Sequence, residues 1–220
     1  MLVTSGGESL GTIGGGGMER ILVDKAMEAL KEGKPEILEF AMGVPAREGM
    51  IPVDSKCGGE VRIFMDIIYP APRLIIMGSG LIAQSVAQYA NDCGFEITVV
   101  DDADTAKPGM FPFAKLINDP YPSSLEKLDI KPSDYVLMLH GENDFELNGL
   151  RYAVDADPHF IGLLGSSNKA REHKKQLIDE GYPSEVVGKI VGHVGLDIGA
   201  ETPEEIGISI VAQLIDFRHS

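Results

Sequence analysis

The sequence predicts an α/β protein: a Rossmann-like, doubly wound parallel sheet preceded by a small α+β domain. Three observations support this. Strand-like and helix-like runs alternate after residue 71, a glycine motif joins the first such strand to the first such helix, and Pro70 and Pro72 mark a change of composition. Alternating strands and helices are typical of a parallel sheet covered on both faces. The predicted domains are residues 1–70 and 71–220.

The small domain reads as a short mixed unit. We predict a strand at "LVTS", a hairpin or loop at "GESLGTIGGGG", and an amphipathic helix at "MERILVDKAMEALKEG" that ends at Gly33. Two further strands, "EILEFAM" and "EVRIFMDII", flank a loop that contains a cysteine.

The larger domain alternates regularly. The predicted strands are "RLIIM", "FEITVV", "YVLML" and "HFIGLL", and the predicted helices are "LIAQSVAQYANDCG", "DFELNGLRYAVD" and "NKAREHKKQLIDEG". Ser166 is the expected N-cap of the third helix. A last helix follows Thr202, which we predict as its N-cap, with Pro203 at the first helical position and Glu205 completing a capping box.

Composition excludes several classes of protein. The formal net charge of -15 over 220 residues, with no tryptophan, argues against nucleic-acid binding, which needs concentrated Lys and Arg. No apolar run approaches the roughly 18 residues of a membrane span, and no secretory leader is recognisable. We therefore expect a cytoplasmic protein without a membrane partner, in which Cys57 and Cys93 are reduced thiols.

The motif "GSGLIA" places Gly78, Gly80 and Ala83 between a strand and a helix. The glycines would allow a tight turn and close approach of a pyrophosphate, and the small third residue allows close helix packing. Asp101 or Asp102, at the end of the next strand, would accept hydrogen bonds from a ribose, which favours NAD over NADP. The alternative is a purely structural turn without a bound nucleotide.

A second glycine run precedes the first predicted helix. Consecutive glycines there could form an amide nest for an anion or simply a tight loop, and Glu19 in the first helical turn would partly repel an anion. The four residues are Gly14, Gly15, Gly16 and Gly17.

Cys57 stands directly before Gly58 and Gly59, which cannot enclose it with side chains. Lys56 beside it favours the reactive thiolate, so a turn residue and a functional thiol both stay open. No second cysteine lies within metal-ligand spacing, so we expect no zinc site. Cys93 is expected to be a small buried apolar residue.

His140 is the histidine with the strongest functional prediction. It ends the "YVLML" strand and so lies at the carboxyl edge of the sheet, where doubly wound folds bind ligands; Asp144 follows closely. The alternative is a loop histidine bonded to backbone, with Asp144 capping a helix. His193 is a weaker candidate. The remaining histidines are predicted to lie on the surface: His159, His173 and His219.

Five ordered stretches together resemble the XdhC/CoxI family of accessory proteins of xanthine dehydrogenase and related molybdenum hydroxylases. They are "GTIGGGGMERILVDKA", the "CGG" of Cys57, "RLIIMGSGLIAQSVAQYANDCGFEITVVDD", "FIGLLGSSNK" and "GLDIGAETPEEIGISIVAQLI".

The resemblance implies a chaperone rather than a catalyst. Such a protein would bind molybdenum cofactor (molybdopterin), assist its sulfuration by a cysteine desulfurase, and deliver it to a hydroxylase client. Cys57 would contact the molybdenum or the sulfur under transfer, and the four-glycine loop would face the pterin phosphate. NAD or NADP could also occupy the Rossmann crevice.

The chain departs from the family pattern at three places. Family members usually have a further segment before the stretch matching "MLVTSGGES"; a shortened small domain would expose apolar surface that a homodimer or another chain could cover. Ser167 and Asn168 replace an arginine-rich stretch, for which Lys169 and Arg171 could substitute. His193-Val194 stands where a proline-containing pair is common.

Two rival functions remain open. An NAD(P)-dependent oxidoreductase would need a proton donor beside the nicotinamide, and only His140 is a candidate for it. A nucleotide-sensing regulatory protein would bind the hydroxylase without touching its cofactor.

Overall fold

The computed structural model describes residues 1–14, 16–56 and 58–219, so Gly15, Cys57 and Ser220 lie outside it. The chain divides into two compact units, Met1–Pro70 and Ala71–Ser220. No helix in the described ranges combines the length and apolar character needed to cross a bilayer.

The small unit packs one helix on a three-stranded sheet. Its elements are β1 (Leu2–Val3), β2 (Ser9–Leu10), α1 (Gly17–Glu32), β3 (Glu36–Met42), β4 (Ile51–Val53) and β5 (Gly59–Met65). β1 and β2 form an antiparallel pair, and the three-stranded sheet has the order β4-β3-β5. α1 ends at Gly33, whose left-handed conformation (φ 66°) lets its N–H bond to Ala29 O. Met18 and Leu22 of α1 pack in one cluster with Phe40 of β3.

The larger unit is a six-stranded sheet covered by helices. Its elements are β6 (Arg73–Met77), α2 (Leu81–Asp92), β7 (Glu96–Val100), β8 (Lys115–Ile117), β9 (Tyr135–Met138), α3 (Asn143–Ala156), β10 (Phe160–Leu163), α4 (Ser167–Asp179), α5 (Ser184–Gly188), β11 (Ile190–Gly192) and α6 (Pro203–Arg218). All strand pairs are parallel, in the order β8-β7-β6-β9-β10-β11. This is the 3-2-1-4-5-6 order of dinucleotide-binding folds, which confirms the predicted Rossmann-like α/β class.

The side chains of strand β6 alternate between two hydrophobic clusters, one on each face of the sheet. Leu74 and Ile76 enter one hydrophobic cluster, whereas Ile75 and Met77 enter the other. Successive side chains of a strand point to opposite faces, so a continuous apolar run is buried from both sides. The prediction of a parallel, doubly covered sheet followed from the alternation of strands with helices, and the burial of β6 from both sides agrees with it.

Three short strands were not predicted: β4, β8 and β11, each of three residues. The connection from β7 to β8, residues 101–114, is fully described and contains no α-helix. The predicted cap of α6 is confirmed: Thr202 Oγ1 accepts from Glu205 N (3.2 Å), and Glu205 Oε2 accepts from Thr202 N (3.1 Å).

Candidate functional site

The glycine turn after β6 lies against the loop after β9, where the strand order reverses. Gly78 has φ 122°, and a Cβ added there would lie 2.7 Å from His140 N. Gly78 N bonds to Val100 O, and Leu139 N bonds to Met77 O. The fold therefore brings two predicted site residues, Gly78 and His140, to the crevice in which α/β sheets bind ligands.

Gly80 and Ala83 complete the motif in different ways. Gly80 is the N-cap of α2, and apart from its chain neighbours no described residue has an atom within 4 Å of the position that its Cβ would take. Ala83 is fully buried in the core. The second glycine thus leaves open space beside the backbone at a helix N-terminus, and the third residue packs the helix onto the sheet.

Asp101 is buried and held by its own chain. Its side chain accepts hydrogen bonds from Ser79 Oγ (2.6 Å, to Oδ2) and from Ala103 N (3.0 Å, to Oδ1). Ser79 Oγ also bonds to Thr105 Oγ1. The Asp101 carboxylate therefore links the glycine turn to the loop after β7. A ribose hydroxyl could bond only to the lone pairs of this carboxylate that the two internal hydrogen bonds leave over. The exposed Asp102 accepts from Tyr121 N (3.0 Å).

His140 ends a stack of three rings. It lies parallel to Phe145 with ring centroids 3.7 Å apart, and Phe145 stacks on Tyr121 at 3.5 Å. Tyr121 Oη donates to Phe145 O (2.6 Å), and burial raises the pKa of Tyr121 above its usual range. His140 Nδ1 accepts from Glu142 N (3.4 Å). Its Nε2 lies 3.8 Å from Asp101 Oδ1, too far for a hydrogen bond.

Asp144 makes no cap. The N-cap of α3 is Glu142, without a side-chain capping bond, and Asp144 lies exposed in the first turn. A negative charge at this end of a helix interacts favourably with the helix dipole.

The sequence did not predict a buried charged group beside the loop between β9 and α3. Glu146 is fully buried; its Oε1 accepts from Gly141 N (3.0 Å), and its Oε2 lies 2.6 Å from Lys169 Nζ. Lys169 Nζ also donates to Gly141 O (3.1 Å). The two side chains thus hold the peptide groups on both sides of Gly141, next to His140.

His173 belongs to the same group, so its prediction as a surface residue was wrong. It is 4% exposed, and its Nε2 lies 3.0 Å from Glu146 Oε2. The available signal was helical spacing: Ala170, His173 and Leu177 are three and four residues apart and are the buried positions of α4.

The basic residues proposed to replace family arginines have internal partners. Lys169 bonds to Glu146 and Gly141, as described, and an Arg171 guanidinium nitrogen donates to Asn168 Oδ1. Ser166 is the N-cap of α4, accepting from Lys169 N (3.3 Å), which confirms that prediction.

In the small unit, the four-glycine loop leads directly into α1. Gly14 and Gly16 have φ of 145° and 75°, and Gly17 begins the helix; Gly15 lies outside the described residues. Glu19 Oε1 accepts from Thr12 Oγ1 and from Ile13 N (3.1 Å). This carboxylate ties the loop to the first turn of α1 and brings negative charge to it.

The other glycine loop of the small unit, which contains Gly58 and Gly59, lies at the end of the small sheet beside which α1 begins. Cys57 itself lies outside the described residues, but the strands around it are described. Met42 of β3 pairs with Val53 of β4 and with Gly59 of β5. A Cβ on Gly17 would lie 3.8 Å from Val53 Cγ1, so α1 begins beside the end of β4.

The other cysteine is distant from this loop in the sequence and belongs to the larger unit. Cys93 is the C-cap residue of α2, half-buried and packed against the core. It packs as a small apolar side chain, as predicted, but it is half-buried where a buried residue was expected.

Comparison with known families decides the relationship. The model of the XdhC Rossmann domain matches residues 74–214, and that of the XdhC and CoxI family matches residues 1–41. The chain belongs to the XdhC and CoxI family. The first match covers the Rossmann sheet except for its first residue, Arg73, and includes the glycine turn and His140. The second covers the four-glycine loop with α1 and most of β3.

Individual relatives extend the comparison. An uncharacterized Escherichia coli protein, YqeB, is 34% identical over 100% of this chain and 40% of its own length. A protein of Bacillus subtilis described as a probable xanthine dehydrogenase subunit is 32% identical over 71% of this chain and 46% of its own length. The Escherichia coli molybdenum cofactor insertion chaperone PaoD is 24% identical over 87% of this chain and 54% of its own length. The chain thus spans about half the length of these relatives.

A solved structure shows the same fold. It is described as a xanthine dehydrogenase from Bacillus halodurans and superposes with a TM-score of 0.61 at 22% identity, over 99% of this chain and 85% of that one.

Proposed function

We propose that this XdhC/CoxI family chain binds molybdenum cofactor and assists its sulfuration and its insertion into a xanthine dehydrogenase-type hydroxylase. It would act as a chaperone, with a cysteine desulfurase and the hydroxylase as partners. Family membership and the likeness to a molybdenum cofactor insertion chaperone support the proposal. The structural observation that carries it is the position of the two glycine loops at one end of the small sheet.

The backbone around these loops fits a flat, phosphate-bearing cofactor. Apart from their chain neighbours, no residue that the structure describes has an atom within 4 Å of the Cβ position of Gly16 or Gly59, so a ligand could approach the main chain closely. The first amides of α1 are oriented at a helix N-terminus, where a phosphate is favoured. The Glu19 carboxylate opposes an anion there, so we assign the phosphate to amides of Gly16 and Gly17 rather than to the Thr12 side of the loop.

Cys57 is the residue that we assign to the molybdenum end. When bound, the cofactor supplies a molybdenum–sulfur centre that the client uses, and a thiolate is the soft protein ligand suited to such a centre. Lys56, its neighbour in sequence, would favour the thiolate. Cys57 would hold or shield the centre, and the glycines Gly58 and Gly59 would let it do so without crowding.

Nucleotide binding by the Rossmann unit is a second candidate. The strand order, the Gly78 turn and the open space beside Gly80 favour it. The internal bonds of Asp101 count against the usual ribose contact. Calorimetric titration with NAD and with NADP tests this candidate, and weaker binding by Gly80→Val than by wild type would locate the nucleotide at the turn.

Copurification tests the principal proposal. The chain is purified from cells that make molybdopterin, oxidised, and assayed for fluorescent pterin. We expect pterin with the wild type, a loss with Cys57→Ala, and no loss with the matched control Cys93→Ala, whose cysteine lies at the end of α2. Absence of pterin from the wild type under saturating supply would refute cofactor binding. Equal pterin in both cysteine variants would refute only the role of Cys57.

A further inference from the structure

A buried hydrogen-bond network joins the glycine turn of the Rossmann unit to the loop after β7. Asp101, at the carboxyl end of β7, is 2% exposed, and it accepts from Ser79 Oγ (2.6 Å) and from Ala103 N (3.0 Å). Ser79 lies between Gly78 and Gly80 and is itself buried. The network therefore lies at the turn where this fold places the pyrophosphate and the adjoining ribose of a dinucleotide.

The direction of each hydrogen bond in this network follows from its chemistry. A carboxylate only accepts, so the single hydroxyl hydrogen of Ser79 is donated to Asp101. The bond between Ser79 Oγ and Thr105 Oγ1 must then take its hydrogen from Thr105. Thr105 thus holds Ser79, and Ser79 holds Asp101. We call these three residues, together with Ala103, the Asp101 network.

The loop after β7 is held from a second side as well. Asn118, which follows β8, donates through Nδ2 to Ala103 O (3.1 Å) and to Ala106 O (2.9 Å). Ala106 is buried, and Phe111 of the same loop belongs to a core cluster of the sheet. The loop therefore packs onto the sheet edge and supports the closed arrangement of the Asp101 network.

This arrangement does not fit the usual nucleotide contact of the fold. In dinucleotide-binding folds an acid at the end of this strand bonds to the ribose hydroxyls and so favours NAD. A ribose can bond only to an oxygen that it can reach, and 3% of the Asp101 side chain is exposed. The neighbouring Asp102 is exposed, but its carboxylate accepts from Tyr121 N, in the segment after β8.

We infer that Asp101 is a positioning residue that fastens the loop after β7 to the glycine turn and is withheld from any nucleotide ribose. A dinucleotide at this turn would therefore not be selected as NAD rather than NADP through Asp101. The binding test of this inference rests on the nucleotide candidate of the proposed function. The inference is independent of molybdenum cofactor binding, because the whole Asp101 network lies in the larger unit.

Calorimetric titration of the full chain with NAD and with NADP tests the inference. Asp101→Asn is compared with the matched variant Asp102→Asn, which changes the exposed acid one residue along. We expect Asp101→Asn to leave the ratio of the NAD and NADP affinities as it is in wild type. The loss of a hydrogen bond to a charged group changes affinity about tenfold or more. An NAD preference of that size that Asp101→Asn abolishes would overturn the inference, whereas one that only Asp102→Asn abolishes would support it.

Amide hydrogen exchange of Ala103, followed by NMR, tests the network without a nucleotide. Thr105→Val removes the hydroxyl that holds Ser79 and keeps the shape of the side chain. The Ala103 amide should then exchange about fivefold faster than in wild type, the equivalent of one ordinary hydrogen bond. Thr98→Val, within β7, is the matched control and should exchange as wild type does. Equal exchange of Ala103 in wild type and Thr105→Val would show that the network does not hold the loop, and would overturn the inference.

The two measurements separate this inference from the proposed function. If wild type binds neither nucleotide, the nucleotide candidate fails, and the exchange of Ala103 alone decides the inference. If wild type retains no molybdopterin, cofactor binding fails, and both measurements on the Asp101 network keep their meaning.

Discussion

Gly78 shows how a single missing side chain shapes the crevice. Its φ of 122° is strained for any residue with a Cβ, and that Cβ would overlap the backbone of Leu139 and His140. Backbone atoms cannot rotate away as a side chain can, so the turn and the β9 loop would have to separate.

Gly78→Ala should therefore lower the free energy of unfolding by about 3 kcal/mol, combining overpacking with left-handed strain. Urea denaturation measures this change. Gly80→Ala is the matched control: with a φ of −66° and an open Cβ position, it should cost about 1 kcal/mol at most, as an N-cap change. A Gly78→Ala protein as stable as Gly80→Ala would contradict the described contact.

The role of Glu146 is visible only in the tertiary structure. It lies in a predicted helix, yet its partners Lys169 and His173 come from another helix more than twenty residues away. Local sequence patterns do not contain such a pairing.

Lys169→Met should be strongly destabilising, because it removes the ammonium group that lies 2.6 Å from the buried Glu146 carboxylate. Removing one partner of a buried ion pair costs about 3–5 kcal/mol. Adding Glu146→Gln to Lys169→Met should recover part of that loss, since it removes the unpaired charge. Thermal or urea unfolding of both variants provides the comparison, and a double variant less stable than Lys169→Met would contradict the pairing.

At the scale of elements, the longer helices and the buried strands followed from periodicity, whereas the five-residue helix α5 was not predicted. The glycine turn, the α6 cap and the main strands each occupy one contiguous stretch with a local signature, and these predictions were confirmed. β4, β8 and β11 were missed because three residues are too few to show an alternating pattern. Their pairing depends on neighbouring strands rather than on their own sequence.

A surface ion pair joins α3 to Glu180, the C-cap residue of α4. Arg151 Nε and Nη2 lie 2.8 and 2.6 Å from the two carboxylate oxygens of Glu180. The hydrogen bond from Arg151 is the main cause that lowers the pKa of Glu180 from 4.5 to about 2.

A depressed pKa in the folded state means that this pair stabilises the protein above pH 4.5. Its contribution should fall as the pH drops through that value towards 2. Carbon-detected NMR titration should show Glu180 ionising near pH 2, and Arg151→Gln should return it towards 4.5. Lys127→Gln, a surface charge change elsewhere, should leave the Glu180 pKa in place; equal titration of Glu180 in wild type and Arg151→Gln would contradict the assignment.

At the scale of the whole molecule, each unit has its own core. Both large hydrophobic clusters consist of residues from 74 onwards, whereas the third lies between Met18 and Met65. A unit of 150 residues buries about 70% of the surface of its unfolded chain.

We therefore expect the isolated 71–220 segment to fold and to unfold cooperatively in urea. Its midpoint should match a transition of the full chain. Far-UV and near-UV circular dichroism of the segment measure this, and a gradual, non-cooperative loss of signal would show that its core is incomplete.

Direct reconstitution tests most sharply whether the chain holds molybdenum cofactor, as we propose. Purified apo-protein is mixed anaerobically with molybdenum cofactor released from a hydroxylase, separated by gel filtration, and analysed for molybdenum and for oxidised pterin. We expect both to coelute with the wild-type chain near one equivalent, and we expect Cys57→Ala to retain less molybdenum. Elution of all pterin and molybdenum apart from the wild-type protein would contradict it.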